Sequence, residues 1–376
     1  MTFSNNTYQP FFAILRAGLW DKLDNEFIFQ PDVDWAKIMH MAMEQTCLGI
    51  AFDGLRHLQS CKPDKKLLIQ WFSYVQRIEH SNFVQNRAIV SILSNYRKEN
   101  IEPVLLKGQS VAIYYDNPSH RQPGDIDLYF PDGYERANAL AESWTGALKH
   151  EETIHHKSYT VKGIELENHK EYVLFYSKRN EERWGYVRND LLKVCTESFL
   201  LRLNNGEESY IKTFNPQMNA IYLYLHLQHH LLQTGIGLRQ ICDWACLWKK
   251  REKDIDKNLF LQIVDILPVK RCMTALTWIV VNYLGLDEGI IPLNIKTDIA
   301  RKDGELLLRD ILDSGNFGRS SGIMDGFVRN SHWNNLRNYT KALKRMIRLR
   351  HLCPSEVDAY IKYWILEKLN IKPMKE

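Results

Sequence analysis

The chain contains no apolar run long enough to cross a bilayer; its most apolar later stretch, Ala275 to Leu286, is too short and is interrupted by Asn282. It also lacks a basic segment leading into an apolar one near the start, where Asp21 and Asp24 break what little there is. No membrane partner and no export signal are therefore expected. The seven cysteines, at positions 47, 61, 195, 242, 246, 272 and 353, show neither CxxC pairs nor regular spacing. Such an odd, unpatterned set argues for reduced thiols and a cytoplasmic protein. Cys242 and Cys246, one helical turn apart, have the plainer reading of two small apolar residues facing a core rather than half of a metal site. Strong charge is missing too: a net +4 demands neither nucleic acid nor an anionic surface, although nucleic acid is not excluded. Repeats and low-complexity segments are absent. With 45% hydrophobic and 25% charged residues over 376 positions, the chain has the composition of a globular protein of two or three domains rather than a disordered one.

Three regions follow from periodicity. Residues 1–100 form a helical region, in which Trp35, Ile38, Met39, Ala42 and Met43, and later Ile89, Ile92, Leu93 and Tyr96, recur at helical spacing. Arg97-Lys98-Glu99-Asn100 and Pro103 stop its last helix. Residues 101–213 carry strand signals: Val104-Leu105-Leu106, then alternation from Ile154 to Val161, a tight turn at Lys162-Gly163, and the alternating Ile164 to His169. A helical stretch runs between Asp132-Gly133-Tyr134 and Trp144. Residues 214–376 are helical again, opening at Asn215-Pro216, a cap followed by proline in the first turn. Gly315-Asn316-Phe317-Gly318 and Ser320-Ser321-Gly322 mark a loop there. The expected fold is α+β, with a mixed β-sheet core between N-terminal and C-terminal helical regions.

Asp125 and Asp127 are the most informative residues. Lying two apart beside Ile126, Leu128, Tyr129 and Phe130, they put two carboxylates on one face of an apolar strand, where they need a cation between them. A divalent metal is the natural candidate. Upstream, the strand ending at Leu106 runs into Lys107-Gly108-Gln109-Ser110, and the glycine there allows backbone N–H groups to approach a phosphate closely.

The order of apolar strand, Gly-x-Ser, helical segment and Asp-x-Asp resembles the nucleotidyltransferase superfamily with the DNA polymerase β-like fold. Within it, Leu106-Lys107-Gly108, Tyr114 or Tyr115, Arg121 and Gly124-Asp125-Ile126-Asp127 resemble the bacterial group called uncharacterised nucleotidyltransferase. The resemblance implies transfer of a nucleoside monophosphate from ATP or another nucleoside triphosphate to a hydroxyl of a small-molecule or protein acceptor. It further implies Mg²⁺ held by Asp125, Asp127 and a third carboxylate from a later strand. Glu167, two residues before His169 as in the resembled group, fits that place, with Glu165 as competitor; the third acid would also accept the proton of the attacking hydroxyl. Lys107, Gly108, Ser110 and Arg121 would grip the triphosphate. One departure is that Gly108-Gln109-Ser110 stands where a Gly-Gly or Gly-Ser pair is common.

Each assignment has a plainer rival. Lys107 and Arg121 would neutralise Asp125 and Asp127 as salt bridges without any metal, and Glu165 and Glu167 would serve as solvated charges on an edge strand. His226, His229 and His230 share one helical face, with no acid or cysteine spaced to complete a metal site, so packing or hydrogen bonding is their ordinary role. His169, His226 and His230 are candidates for lining a cleft, as are Arg239 and Asp243, whose match to the family adds to their plain reading as an intrahelical ion pair. Lys341, Lys344, Arg345 and Arg348 form a positive stripe, most simply a solvated face. The alternative from another function class is a catalytically inactive nucleotidyltransferase fold acting as a binding or scaffold module of antitoxin type.

Overall fold

The computed structural model describes residues 7–23, 29–144, 148–152, 156–161, 163–203, 205–316 and 332–368. In chain order the elements are α1 (Tyr8–Trp20), α2 (Trp35–Glu44), α3 (Leu48–Leu55), α4 (Lys65–Lys98), β1 (Val104–Leu106), α5 (Gln109–Ala112), β2 (Ile126–Tyr129), α6 (Tyr134–Ser143), β3 (Leu148–Glu152), β4 (His156–Val161) and β5 (Ile164–His169). There follow α7 (Lys178–Tyr186), β6 (Thr196–Arg202), β7 (Glu208–Phe214), α8 (Pro216–Gln233), α9 (Leu238–Arg251), α10 (Lys257–Ile266), α11 (Lys270–Asn282), α12 (Asp298–Ser314), α13 (His332–Leu349) and α14 (Pro354–Lys368). The fold is α+β. Lys162, Ile154 and the stretch from Phe317 to Gly322, which carried turn, strand and loop expectations, lie outside the described residues.

Two compact units divide the chain. The first comprises Met1–Met43, Cys47–Val173 and Val194–Tyr222; the second comprises Glu44–Thr46, Leu174–Lys193 and Leu223–Glu376. The N-terminal helices and the sheet thus belong to one unit, for a reason visible in α4. Asp64 caps this helix by accepting from the Leu67 N–H at 2.9 Å, and its apolar stripe ends in Ile89, Ile92, Leu93 and Tyr96. Those four residues share a core with Leu105, Ile126, Leu128, Tyr159, Leu166 and Ile211 from the strands and Ala137 and Ala141 from α6. Burying such a stripe against a sheet supplies most of the stability of a helix this long.

The sheet has seven strands in the order β3-β4-β5-β2-β1-β7-β6. Strands β1 and β2 are antiparallel with Leu106 opposite Asp127, whereas β2 and β5 are parallel with Asp127 opposite Glu167 and Tyr129 opposite His169. Because side chains alternate across a strand, Ile126, Leu128 and Leu166 enter the core while Asp127, Glu167 and His169 take the opposite face. Below β5 a buried polar network fixes the register. Asn168 donates to Asn138 at 3.0 Å and accepts from the Tyr96 hydroxyl at 3.1 Å, and the Tyr159 hydroxyl also donates to Asn138.

The second unit is helical. Trp244 and Trp248 on α9 and Phe260 on α10 are fully buried, and Cys242 and Cys246 are buried with them. The positive stripe expected on α13 is corrected here for Arg345. Its guanidinium is buried and grips the buried Asp310 of α12 through contacts of 2.6 and 3.0 Å, and Arg348 bonds the same carboxylate. A bidentate arginine is the donor best suited to satisfying a buried carboxylate. Among the described residues, no helix is long and apolar enough to cross a membrane.

Candidate active site

Two strand ends and one turn build the site within the first unit. Strand β1 is buried throughout and stops at Leu106, after which Lys107 and Gly108 both take positive φ, 41° and 53°. Gly108, with ψ of −123°, occupies the first central position of a tight turn closed by the Ser110 N–H donating to the Lys107 carbonyl at 3.0 Å. Only glycine adopts that conformation without strain. Gly108→Ala is therefore expected to lower stability by about 1–3 kcal/mol. Urea unfolding checks this, and a variant as stable as the parent would remove the glycine requirement. The Ser110 hydroxyl is turned inward, donating to the Lys107 carbonyl at 2.8 Å, and the residue is fully buried.

The turn delivers Lys107 to the carboxylates. Its ammonium lies 2.9 Å from Asp127 Oδ1, and the Asp127 side chain is only 2% exposed. His169 Nε2 lies 3.0 Å from the same oxygen and 3.2 Å from Glu167 Oε2. Asp127, Glu167 and His169 each offer a ligand atom, all within 4.8 Å of one another, the spread a single metal ion requires. Asp125 stands just before β2 and is exposed, yet its charge acts on Lys107 along with those of Asp127 and Glu167. Glu165 is exposed, accepting from the Thr160 hydroxyl at 2.7 Å.

Electrostatics within this group are strongly mutual. Burial disfavours the charged ammonium of Lys107, but the carboxylates of Asp127, Glu167 and Asp125 more than offset it and raise its pKa. For His169, burial again works against the charge, while hydrogen bonds to Asp127 and Glu167 prevail and push it up to about 9. Burial raises the Glu167 carboxyl, yet the His169 hydrogen bond and the Lys107 charge bring it down to about 2. A low-dielectric wall stands beside them. Tyr129 contacts Tyr172, Tyr172 contacts Phe214 and Tyr222, and the buried Tyr222 phenol is held well above its ordinary pKa by burial and by the charges of Asp127 and Glu167.

The segment leading into the Asp-x-Asp pair is clamped by α4. Asn82 and Gln85 fall on that helix's buried stripe, where apolar residues would continue the pattern. The Asn82 amide donates to the carbonyls of Ser119 and Arg121 at 2.7 and 2.9 Å, and the Gln85 amide donates to the Gly124 carbonyl at 2.5 Å. Gln109 in turn donates to Asn82 Oδ1 at 2.8 Å, tying the Gly108 turn to the same point. The 3₁₀ turn Pro118–His120 is held from the other side, with the His120 ring between Asp53 at 2.8 Å and Glu79 at 2.9 Å. A Cβ on Gly49 would meet the His120 carbonyl at 2.3 Å, so α3 presses directly on this turn.

A model of the family described as uncharacterised nucleotidyltransferase matches residues 31–285, more than half of the chain and including the whole of this site. The chain belongs to that family. Among solved structures, this nucleotidyltransferase-family chain is similar to an antigenic nucleotidyltransferase-like protein from Paracoccidioides brasiliensis at 14% identity and a TM-score of 0.31, over 48% of this chain and 87% of that one. Among curated proteins, no sequence matches it.

Of the residues singled out from sequence, Lys107, Asp127, Glu167 and His169 come together in this family member, with Gly108 and Ser110 forming the turn and Asp125 at the mouth of the strand. Arg121 is buried, and its Nη1 donates to the Gln122 carbonyl at 3.3 Å. The half-buried His226 and His230 on α8 and the buried Arg239 and Asp243 on α9 belong to the second unit, whereas the carboxylates belong to the first. Sequence reasoning missed Asn82, Gln85 and Tyr222. For the two amides the signal was present, since polar residues on the buried stripe of a long helix require partners.

Proposed function

We propose that the chain transfers a nucleoside monophosphate from a nucleoside triphosphate to a hydroxyl of a small-molecule or protein acceptor. The observation that carries this reading is the convergence of Asp127, Glu167 and His169 within one ion's reach, beside the Lys107-Gly108 turn of a nucleotidyltransferase-family chain. Asp127 and Glu167, with Asp125 at the strand's mouth, would hold Mg²⁺ through carboxylate oxygens. When bound, the metal supplies charge neutralisation on the phosphates and draws the attacking and leaving oxygens into line.

The chain's own residues supply the rest. The oxygen of the acceptor hydroxyl attacks the α-phosphorus and its proton passes to water, while the bond to the bridging oxygen breaks and pyrophosphate leaves with that electron pair. Lys107, on four methylenes, swings from Asp127 to the phosphates and compensates their charge. Glu167, lowered to about 2 against the effect of burial, chiefly by the His169 hydrogen bond, is ionised throughout the physiological range. It therefore serves as a ligand and a charge. The aromatic wall of Tyr129, Tyr172 and Tyr222 strengthens these interactions by excluding water from one side.

A second reading has one observation in its favour. Lys107 already neutralises Asp127 at 2.9 Å, an arrangement that a non-catalytic binding module would keep permanently. Thermal shift with each nucleoside triphosphate, with and without Mg²⁺, separates the two. The catalytic reading expects stabilisation that needs both components, about 2.7 kcal/mol at a hundredfold excess over Kd, lost in Glu167→Gln and kept in Glu165→Gln. Stabilisation indifferent to Mg²⁺, or equal in the two variants, would favour the binding module.

A further inference from the structure

We propose that the Asp127, Glu167 and His169 cluster selects a transition-metal dication of the Mn²⁺ class over Mg²⁺, with His169 Nε2 as a direct ligand. The inference rests on reading the site as a divalent-metal centre, and not on the identity of nucleotide or acceptor. Three observations carry it. First, the donor set among the described residues is mixed: two carboxylates and one imidazole, all within 4.8 Å of one another. Mg²⁺ is a hard ion that demands oxygen and retains water, whereas imidazole suits first-row transition dications such as Fe²⁺ and Zn²⁺, and Mn²⁺, the first of that series, combines an affinity for carboxylate oxygen with acceptance of a nitrogen ligand.

Second, His169 Nε2 is aimed into the space the carboxylates share. It lies 3.0 Å from Asp127 Oδ1 and 3.2 Å from Glu167 Oε2. Neighbouring ligands of an octahedral ion with bonds of about 2.1 Å are themselves about 3 Å apart. The separations that serve as hydrogen bonds are thus also those of adjacent ligands.

Third, the ring is held where it is. His169 ends β5, pairing with Tyr129 of β2 and with His156 of β4, and the His156 ring packs against it with centroids 5.2 Å apart. An imidazole fixed by two neighbouring strands is pre-positioned for a metal, which a mobile surface histidine is not. Lys107 shares Asp127 Oδ1 but sits on a flexible stem, so it yields to a dication more readily than the strand-borne ring.

The test is metal binding by the full chain without nucleotide, using Mn²⁺ electron paramagnetic resonance with Mg²⁺ as competitor. Mn²⁺ is expected to bind at least ~10-fold more tightly than Mg²⁺, and His169→Gln, which replaces nitrogen by an amide oxygen, is expected to bring the two within a few-fold. Should the variant not fold, the parent protein still decides: spin-echo modulation from a directly bound ¹⁴N must accompany its Mn²⁺ signal. An all-oxygen Mn²⁺ spectrum, or a selectivity unchanged in folded His169→Gln, overturns the proposal and leaves nucleotidyl transfer on Mg²⁺ standing. Nitrogen-ligated Mn²⁺ in a chain that binds no nucleoside triphosphate supports it and removes the transfer reading instead.

Discussion

Asp127→Asn is expected to lower pyrophosphate release at least ~100-fold, with water or a screened alcohol as acceptor, and to abolish the stabilisation given jointly by nucleotide and dication. The nucleotide-free protein should remain folded but lose about 2 kcal/mol. Both effects have one origin. Asp127 is almost wholly buried, and its Oδ1 receives the Lys107 ammonium at 2.9 Å and the His169 imidazole at 3.0 Å. An asparagine keeps the shape and one acceptor but removes the charge, leaving two cationic groups facing only Glu167 and the exposed Asp125. Breaking a buried pair typically costs 3–5 kcal/mol, and the remaining acids reduce that here. The double variant Asp127→Asn, Lys107→Met separates structure from chemistry. Removing the unmatched ammonium should restore much of the stability and none of the activity. If the double variant regains turnover, Asp127 acts only by neutralising Lys107 and the metal-centred mechanism fails.

Much of this arrangement was legible in the sequence because alternation is a local property. Asp127 between Ile126 and Leu128, and Glu167 and His169 around Asn168, could be assigned to the face opposite the core without knowing any neighbour. Asn215 and Pro216 likewise opened α8, with Asn215 accepting from the Met218 N–H at 2.9 Å. What could not be read was non-local pairing. The parallel register that sets Asp127 opposite Glu167 depends on the connection through α6, β3 and β4, and β3 itself went unrecognised between the helical stretch and the later alternation. The same limit explains Arg345, whose partner Asp310 lies thirty-five residues away on another helix. It explains Ser110 as well, since the hydroxyl's inward turn follows from the positive φ of Lys107 and Gly108, which no side-chain pattern announces. Asp125 marks a milder case: the strand begins one residue after it, leaving one carboxylate buried and the other exposed.

The same charges make the stability of the first unit depend on pH in both directions, and His169→Gln isolates that dependence. His169 is raised from 6.5 to about 9, against the effect of burial, by its bonds to Asp127 and Glu167, so its contribution is fully present below pH 6.5 and is lost as pH rises through about 9. Glu167 is lowered from 4.5 to about 2, against burial, by the His169 hydrogen bond and the Lys107 charge; its contribution is present above pH 4.5 and is lost as pH falls toward 2. Each shift corresponds to about 3 kcal/mol, and because the His169–Glu167 contact contributes to both, the two are not additive. Urea unfolding of the parent and of His169→Gln, measured across the pH range in chelator, should therefore give a stability difference greatest between pH 4.5 and 6.5 and shrinking on both sides. Mn²⁺ added at pH 7.5 should widen the gap again if the ring is a ligand, because a dication bound to the folded parent stabilises it by mass action and the variant binds that ion less well. A difference that stays flat from acid to alkaline pH would mean that the imidazole carries no charge in the folded chain, and the electrostatic account of the site would have to be rebuilt on Lys107 alone.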